Sequence, residues 1–384
     1  MKFSKVVFIA NALGQPRVKK RIMQFIRQGY KVEVYGFDRD KLTDVSGWGV
    51  EVTMIGRIPS KLPYARRIGV IYRGIRQVLR RERDPNVLFY LFQLDIAWIY
   101  SLQSRRPYVF EESDLVHTQI DNWAVRNFFE WMDKRIIRKA ACAVFTSEGF
   151  LKFHFGDKRC RNSVILPNKL DVKVTECRSS LLEPKVPKPG SLQIGFVGCP
   201  RFKSLVKFAE VVVEDFSEVD LHFFGHIVEA NKLEFEPFQH KKNCHFHGYF
   251  ENPSDLPKIY SQIDIVLSIY DTDTINPRFA EPNKLYEAIY FETPIVVSEG
   301  TFLAEKVKKM NVGFVIDASK RSAIHNFIKK LSSQKINDKV LSCKGIPKSE
   351  CLASADILFE YLENRSRRMV ELAESRRCVS WCWR

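Results

Sequence analysis

The sequence lacks an apolar run long enough to cross a lipid bilayer. A membrane-spanning helix needs about 20 predominantly apolar residues, whereas the most apolar segment, residues 87–102, is interrupted by Gln93 and Asp95. The apolar run at residues 6–12 is too short for a signal peptide and is typical of a buried strand. We therefore expect a chain that is soluble or attached to a membrane only at its surface.

Motifs for disulfides, metals and common catalytic machinery are missing as well. The nine scattered cysteines include no C-x-x-C pair and no secreted-scaffold spacing, which favours the reducing cytoplasm. There is no zinc motif, no Ser-His-Asp order, no G-x-x-x-x-G-K loop and no G-x-G-x-x-G fingerprint. His245 and His247 share one face of a predicted strand, but without an acidic or cysteine partner we interpret them as structural. The sequence predicts neither a metal ion nor a cofactor.

Acidic residues are too few to balance the basic ones. The 384 residues include 61 Lys and Arg against 45 Asp and Glu, which gives a formal net charge of +16. This balance indicates an anionic partner, and nucleic acid, a membrane surface and a phosphorylated ligand all qualify. With 45% hydrophobic residues, the chain is globular and long enough for two domains with separate cores.

The first part of the chain alternates between strand and helix patterns. Residues 5–10 predict a buried strand, residues 17–28 a helix, and residues 31–36 a second strand. This β-α-β order is typical of a parallel sheet covered by helices. The turn after the first strand has a single glycine, Gly14, which we include among the candidate ligand-binding residues.

Residues 66–83 carry the strongest charge pattern in the chain. At roughly 100° per residue, one arc of a predicted helix contains Arg66, Arg67, Arg73, Arg76, Arg80, Arg81 and Arg83. The opposite arc contains Ile68, Ile71, Tyr72, Ile75, Val78 and Leu79, with Val70 as the exception. Such a helix can lie on anionic lipid headgroups, or pack on a sheet with its arginines in water. Nucleic acid is the weakest interpretation, because no recognition motif accompanies the charge.

Acidic residues directly follow a predicted strand at residues 107–110. This strand runs into Glu111, Glu112, Ser113 and Asp114. Open α/β sheets bind ligands at the carboxyl ends of their parallel strands, so Asp114 or His117 is a candidate to contact or deprotonate a hydroxyl. The alternative, equally open, is that Ser113 or Asp114 caps the next helix.

A break in periodicity separates two α/β halves. Residues 171–190 contain Pro184, Pro187, Pro189 and Gly190 and predict a boundary. Strand patterns then restart at residues 192–197, 220–224, 245–249, 264–269 and 312–316. We predict an α/β fold of two doubly wound parallel-sheet domains facing a cleft. The predicted divisions are an N-terminal domain at residues 1–175, a linker at 176–190, a C-terminal domain at 191–355, and a C-terminal helix and basic tail at 356–384.

Basic residues follow the first strand of the second half. Gly198 lets the backbone approach a ligand closely, and Arg201 and Lys203 lie just past the strand's carboxyl end. Their placement suits a diphosphate, although basic residues in such turns are also commonly just solvated.

Residues 275–300 give the clearest sign of a binding site. Asn276-Pro277 predicts a loop, and Pro282 predicts the start of a helix of about three turns. Four residues of this helix are the candidate ligand contacts: Asn283, Lys284, Leu285 and Glu287. A carboxylate can hold a vicinal diol, while an amine beside a helix N-terminus favours a phosphate. The pattern predicts a nucleotide site, with a solvated helix face as the alternative.

With these residues placed, the chain resembles the bacterial family 4 glycosyltransferases of polysaccharide and lipopolysaccharide biosynthesis, which have the GT-B architecture. The most specific similarity is Asn283 to Ala288 followed by Thr293 to Ser298, which resembles the family's donor-site core. Weaker similarities occur in the family's order: P-R-V at residues 16–18, G-Y-K-V at 29–32, F-E-E-S-D at 110–114, T-S at 146–147, P-N at 167–168 and I-G-F-V-G at 194–198.

The resemblance implies a nucleotide-sugar donor bound by the C-terminal domain and a glycan or lipid-linked acceptor bound by the N-terminal domain. It also implies retention of the anomeric configuration without a required metal. By position, it places Glu287 on the ribose diol, Arg201 and Lys203 on the diphosphate, and Asp114 on the acceptor side.

The sequence departs from the family at the sugar end of the site. The usual pair of glutamates eight residues apart is incomplete because residue 279 is Phe. Glu281, six residues before Glu287, is the candidate catalytic replacement. Two alternatives stay open: a nucleotide-sugar epimerase or hydrolase of the same architecture, and an inactive nucleotide-sugar-binding partner subunit.

Overall fold

The chain forms two compact α/β units. The computed structural model describes residues 3–39, 44–59, 61–158, 160–177 and 191–365. The first unit comprises Met1–Leu166 and Ser354–Arg384, and the second comprises Pro167–Ala353.

The division between the units comes earlier than the predicted linker at residues 176–190, most of which lies outside the described residues. Leu170 and Val174 are already buried in a core of the second unit. Leu170 also forms a parallel bridge with Leu352, near the end of that unit. The sequence pattern marked the proline-rich segment, whereas the packing of Leu170 sets the boundary.

The first unit is built on a seven-stranded parallel sheet of strand order β3-β2-β1-β4-β5-β6-β7. The strands are β1 (Lys5–Ala10), β2 (Val32–Asp38), β3 (Val52–Arg57), β4 (Val87–Phe92), β5 (Tyr108–Glu112), β6 (Cys142–Phe145) and β7 (Ser163–Ile165). The helices are α1 (Pro16–Arg27), α2 (Tyr64–Arg81), α3 (Leu94–Gln103), α4 (Trp123–Lys139) and α5 (Glu148–Phe155). The elements predicted at residues 5–10, 17–28, 31–36, 66–83 and 107–110 are all present.

The second unit is built on a six-stranded parallel sheet of strand order β10-β9-β8-β11-β12-β13. The strands are β8 (Leu192–Val197), β9 (Val219–Phe224), β10 (Cys244–Gly248), β11 (Ile265–Ser268), β12 (Ile295–Ser298) and β13 (Gly313–Ile316). The helices are α6 (Lys203–Asp215), α7 (Lys232–Phe235), α8 (Leu256–Ser261), α9 (Ile275–Phe279), α10 (Lys284–Tyr290), α11 (Phe302–Met310), α12 (Arg321–Lys329) and α13 (Ser333–Lys344). Both sheets confirm the predicted doubly wound α/β class.

Each sheet has one point where the strand order reverses. In the first sheet it lies between β1 and β4, and in the second between β8 and β11. The connections on the two sides of such a point leave toward opposite faces, so a crevice opens beyond the carboxyl ends of these two strands. The residues after β8 and β11 are therefore the first place to look for a ligand site in the second unit.

The C-terminal helix, α14 (residues 356–365), belongs to the first unit. Leu358, Phe359 and Leu362 are buried in the same core as β1 and α1. The Phe359 ring meets the Phe25 ring edge to face, with centroids 4.9 Å apart. The predicted separate C-terminal segment thus completes the first core, while the tail at residues 366–384 lies outside the described residues.

The stretch before the predicted nucleotide helix differs from its prediction. Residues expected to form a loop fold as the short helix α9, because Pro277 falls in the first turn, where its missing N–H is not needed. Helix α10 has seven residues, two turns rather than three. Its carboxyl end is closed by Glu292, whose φ of +54° cannot continue a helix.

Glycine in α2 serves close packing. A Cβ on Gly74 would lie 2.9 Å from the carbonyl oxygen of Ile55 in β3 and 2.9 Å from the Phe37 ring, whereas a Cβ on Gly69 meets nothing within 4 Å. Gly74 therefore lets α2 approach the sheet, and Gly69 only lowers helix propensity.

No helix among the described residues is both long enough and apolar enough to cross a membrane.

We expect opposite effects from the same substitution at these two glycines. Gly74→Ala should lower the free energy of unfolding by about 1–3 kcal/mol, because the added methyl overpacks the α2–β3 contact. Gly69→Ala should raise it by about 0.5–1 kcal/mol through helix propensity. Urea titrations followed by circular dichroism measure both. Equal effects of the two changes would contradict the packing role of Gly74.

Candidate functional site

Lys284 places a buried ammonium at the reversal point of the second sheet. Its side chain is 7% exposed, and its Nζ lies 4.4 Å from the Phe196 ring centroid. The same Nζ lies 3.4 Å from the hydroxyl of Tyr270, which follows β11. Among the described residues, no carboxylate forms an ion pair with Lys284. Ring faces stabilise a cation only in part, so this ammonium is arranged for an anionic ligand.

The backbone beside Lys284 is held in a tight turn by two glycines. Gly198 has a φ of +132°, and its N–H donates to the carbonyl of Phe224 over 2.7 Å. A Cβ on Gly225 would lie 2.0 Å from the carbonyl oxygen of Gly198. The carboxyl ends of β8 and β9 therefore lie too close together for a side chain at residue 225. A Cβ on Gly198 would stand 3.4 Å from the Nζ of Lys284. The structure thus brings the predicted residues Gly198 and Lys284 together.

Arg201 and Lys203 lie on the same turn with exposed side chains. The guanidinium of Arg201 lies 5.3 Å from the Phe202 ring centroid, and Phe202 meets Tyr270 edge to face at 4.7 Å. Tyr270 contacts Lys284 in turn. Ring contacts therefore connect the turn after β8 to the ammonium of Lys284, and neither Arg201 nor Lys203 forms an ion pair within the described chain.

Asp271, which the sequence analysis missed, occupies the N-terminus of α6. Its carboxylate accepts hydrogen bonds from the backbone N–H of Lys203 over 3.1 Å and of Ser204 over 2.8 Å. It also accepts from the Ser204 hydroxyl over 2.7 Å. The free N–H groups at this helix end are thus already bound, which leaves the basic side chains to attract an anion. Only the folded chain reveals the pairing, because 67 residues separate Asp271 from Ser204.

Glu287 is buried and oriented by two neighbours. One carboxylate oxygen accepts from the Asn283 amide over 2.5 Å, and the other accepts from the Tyr260 hydroxyl over 2.8 Å. Burial, reinforced by the charge of Glu287, raises the pKa of Tyr260 well above its usual value, so this hydroxyl keeps its proton and donates. Leu285 faces away into the core. The predicted pairing of Asn283 and Glu287 on one face is present.

Glu281, the candidate catalytic carboxylate, is buried inside the second unit rather than exposed to solvent. Its side chain is fully buried; one oxygen pairs with the ammonium of Lys306 over 2.7 Å and also accepts from the Tyr286 hydroxyl. The other oxygen is buried without a hydrogen-bond partner. These contacts fit an anchor between α10 and α11, and the catalytic assignment of Glu281 stays a prediction.

Three histidines stack on β9 and β10. His222 and His247 share a hydrogen bond of 3.0 Å, and the rings of His222 and His245 stack at 4.7 Å. His245 does have an acidic partner, contrary to the sequence interpretation: its Nε2 lies 2.9 Å from an oxygen of Asp220. The partner lies on the neighbouring strand, 25 residues away. The three histidines are therefore held by hydrogen bonds and ring stacking, which fits a structural role.

In the first unit, Asp114 pairs with Arg17 at the start of α1 over 3.3 Å. The short 3-10 helix Val116–Gln119 that follows has Leu115 at its N-cap position, and the next α-helix, α4, is capped by Asn122. Gly14 lies in the exposed turn between β1 and α1, close along the chain to Arg17. The structure thus brings Asp114 to the N-terminus of α1 as a half-exposed carboxylate.

The two glutamates that precede Asp114 are buried in separate clusters. Glu111 forms an ion pair with Arg21 of α1 over 2.9 Å and accepts from the Tyr90 hydroxyl. Glu112 faces the other side of the sheet, where His154 of α5 contacts both its oxygens, at 2.8 and 3.0 Å. Alternation along β5 explains the split, since successive side chains point to opposite faces.

The Glu112 cluster also contains Asp133 of α4 and His117. An oxygen of Asp133 lies 3.7 Å from His154 Nε2 and 3.4 Å from His117 Nδ1. Burial raises the pKa of Asp133, and the charge of Glu112 raises it further. Burial, with the charge of His154, lowers the pKa of His117 to about 4, so His117 is neutral at neutral pH.

The basic helix α2 keeps most of its arginines in water. Arg66, Arg73, Arg76, Arg80, Arg81 and Arg83 are exposed. Arg67 is not on the free arc: it forms an ion pair with Asp95 over 2.8 Å. Tyr72 was expected in the core but is 40% exposed, and Val70 packs against Gly56 of β3.

Exposed apolar side chains lie on α4, and we call them the aromatic face: Trp123, Val125, Phe128 and Trp131. Arg135 lies over the Trp131 ring at 5.6 Å. Phe129 of the same helix contacts Tyr64 at the start of α2, with ring centroids 6.1 Å apart. Helices α4 and α2 are therefore in contact near the start of α2.

Comparisons with known proteins agree with this geometry. Residues 201–345 match the family described as "Glycosyl transferases group 1". The chain is 23% identical to the succinoglycan biosynthesis protein ExoL of Rhizobium meliloti over 329 residues, which cover 82% of this chain and 81% of ExoL.

Solved structures have the same fold at low sequence identity. Anabaena HepE in complex with UDP and glucose superposes with a TM-score of 0.66 at 14% identity, over 97% of this chain and 100% of HepE. Sucrose-phosphate synthase from Thermosynechococcus elongatus superposes with a TM-score of 0.70 at 13% identity, over 97% of this chain and 100% of the synthase. The chain therefore has the GT-B fold, and residues 201–345 are similar to the group 1 glycosyl transferases.

Proposed function

We propose that this protein transfers a sugar from a nucleotide-sugar donor to a glycan or lipid-linked acceptor, in the synthesis of a cell-surface polysaccharide. The observation that carries this proposal is the buried ammonium of Lys284, which has no carboxylate partner among the described residues. It lies within the group 1 glycosyltransferase domain and at the reversal point of its sheet. A buried charge is costly unless it is paired, and a diphosphate would supply the missing charge.

The diphosphate is also the leaving group, so the groups that bind it stabilise the charge that develops as the glycosidic bond to it breaks. Lys284, Arg201 and Lys203 offer three cationic side chains on the β8 turn and the adjoining α10. Cations that are in place before the reaction stabilise the developing charge without rearrangement, and such electrostatic stabilisation is a large term in catalysis. We assign the stabilisation of the departing diphosphate to these three residues.

The nucleoside end falls to Glu287. Asn283 and Tyr260 donate to its two oxygens and hold the carboxylate in place, and a carboxylate accepts hydrogen bonds from the hydroxyls of a ribose. Asn283 is exposed beside it and can move aside or share the contact. Because HepE was solved with UDP, UDP is the first nucleotide to test.

The acceptor side falls to the first unit, where Asp114 is the candidate to position or deprotonate the attacking hydroxyl. Its half-exposed carboxylate beside Arg17 is reachable from solvent. Retention of the anomeric configuration is the finer proposal, supported by the family resemblance. Glu281 is buried against Lys306 and Tyr286, which favours a role in positioning α10 over attack on the sugar.

The surface formed by α2 and the aromatic face of α4 supports peripheral attachment to an anionic membrane, on its cytoplasmic side. Exposed tryptophan and phenylalanine insert at the headgroup level, while arginines bind the anionic phosphates. Such a surface would hold the enzyme next to a lipid-linked acceptor.

Charge removal at Lys284 should weaken diphosphate binding whether or not a nucleoside is attached. We expect Lys284→Gln to raise the Kd for both UDP and inorganic pyrophosphate by roughly 10- to 100-fold, since a hydrogen bond to a charged group contributes about 1.5–3 kcal/mol. Glu287→Gln should weaken UDP binding alone, because only UDP has the ribose. Titration calorimetry measures these values.

Lys309→Gln is the matched control, because it removes one exposed lysine of the same unit without touching the site. If Lys284→Gln bound pyrophosphate as tightly as the wild type, the assignment of Lys284 to the diphosphate would be wrong. A loss of both ligands in Glu287→Gln would mean that Glu287 supports the fold of the site rather than the ribose.

Turnover distinguishes the proposed transferase from its alternatives. We expect incubation with α-configured UDP-sugars and octyl glycosides or extracted lipid-linked glycans to yield an α-linked product, read from the anomeric proton coupling by NMR. A β-linked product would contradict retention. Free sugar, or an epimerised donor, without a glycosylated product would favour the hydrolase or epimerase, and tight UDP binding without any turnover would favour the inactive subunit.

Reversal of charge on α2 should release the protein from anionic vesicles. The triple change Arg73→Glu, Arg76→Glu and Arg80→Glu should lower partitioning by at least roughly 100-fold, at about 1 kcal/mol for each basic residue near the surface. Co-sedimentation with phosphatidylglycerol vesicles measures it. Serine at Trp123, Phe128 and Trp131 should also weaken binding, including at high salt.

The control carries the same charge change elsewhere, at the exposed residues Lys308, Lys309 and Lys329 of the second unit. If the control and the α2 variant lose binding equally, net charge alone attracts the protein and the assigned surface is wrong.

A further inference from the structure

A second cluster of chemistry-bearing groups lies in the first unit, apart from the donor site. Glu112, Asp133 and His154 are all buried, and they place one ligand atom each within 4.8 Å of one another. They come from β5, α4 and α5, so the packing of three elements, rather than a local motif, brings them together. In the part of the chain that the structure describes, this is the one such group.

No lysine or arginine of the described chain forms an ion pair with Glu112 or Asp133. The partners of both carboxyl groups are histidines: His154 contacts Glu112, and His117 and His154 contact Asp133. Two carboxyl groups and two imidazoles without a basic side chain are a ligand set for a divalent ion.

Several polar atoms around the cluster have no hydrogen-bond partner. These atoms are Oδ1 of Asp133, Nδ1 of His154, and both ring nitrogens of His117, which is 2% exposed. Native proteins leave few buried polar atoms unpaired, so these atoms indicate a bound ligand, ion or water molecule.

A small cavity adjoins the cluster. It has a volume of about 30 Å³, and Glu112, His117 and Asp133 line it together with Gln93, while His154 contacts Glu112 and Asp133 from outside the lining. Gln93 adds another unpaired oxygen and has a φ of +71°, a strained conformation for a residue with a side chain. A space of this size holds an ion or one or two water molecules.

We propose that Glu112, Asp133 and His154 bind a divalent transition-metal ion, with His117 as a fourth ligand. Mixed imidazole and carboxylate ligands suit Zn²⁺, whereas Mg²⁺ prefers oxygen ligands and water. The ion would fix the carboxyl end of β5, two residues before Asp114, and so hold the acceptor side of the first unit in shape. It takes no part in the assigned chemistry of the donor, so the site stands or falls independently of the transferase proposal.

The test uses the full chain, stripped with a chelator and then dialysed against buffered free Zn²⁺. We expect one bound Zn²⁺ per chain by mass spectrometry of the metal content, a higher melting temperature with Zn²⁺, and no such effect with Mg²⁺. Asp133→Asn and His154→Gln should each weaken Zn²⁺ binding by about 100-fold or more, beyond the 10- to 100-fold typical of residues that only orient a ligand.

His247→Gln is the matched control, since it removes a histidine from the stack in the second unit and should leave Zn²⁺ binding unchanged. If circular dichroism shows that a variant is unfolded, the ligands are identified instead from the visible spectrum of Co²⁺ bound to the wild-type chain. We expect the weak bands of Co²⁺ bound by nitrogen and oxygen, without the bands of a sulfur ligand. The proposal would be overturned if the wild type bound no metal, or if Zn²⁺ binding survived both ligand substitutions. In either case the cavity would hold only water, and the two carboxyl groups would share a proton.

Discussion

The ammonium of Lys284 is the constraint on which the second unit's site depends. The faces of Phe196 and Tyr270 keep it out of water. The turn after β8 lies beside the amine, and residue 198 in this turn has a φ of +132°, which favours glycine. That turn in turn packs so closely on the end of β9 that residue 225 must also lack a side chain. Three strand ends, two glycines and two aromatic rings are thus arranged around one positive charge.

Much of this arrangement could be predicted from the sequence because its parts are local. The strand from Leu192 to Val197 is evident from its apolar run, and the Asn283–Glu287 pair follows from helical spacing. The α/β class follows from alternation alone. Local periodicity therefore identified the sheets and most residues of the candidate site.

What the sequence did not reveal depends on contacts between distant residues. Asp271 reaches the N-terminus of α6 across 67 residues, and Asp133 and His154 meet Glu112 from two helices. No spacing rule pairs such residues, because only the packing of the folded chain sets their distance. The same holds for Glu281, whose burial against Lys306 could not be predicted from its position in the motif.

The path of the chain through the two units bears on how the protein is made. The second unit is one continuous segment, Pro167–Ala353, while the first is completed only by Leu358, Phe359 and Leu362 of α14. During synthesis the second unit is therefore whole while the first unit still has an open patch beside Phe25. Domains usually fold in the order in which they leave the ribosome; here the unit that starts first finishes last, and its exposed core must wait for the end of the chain.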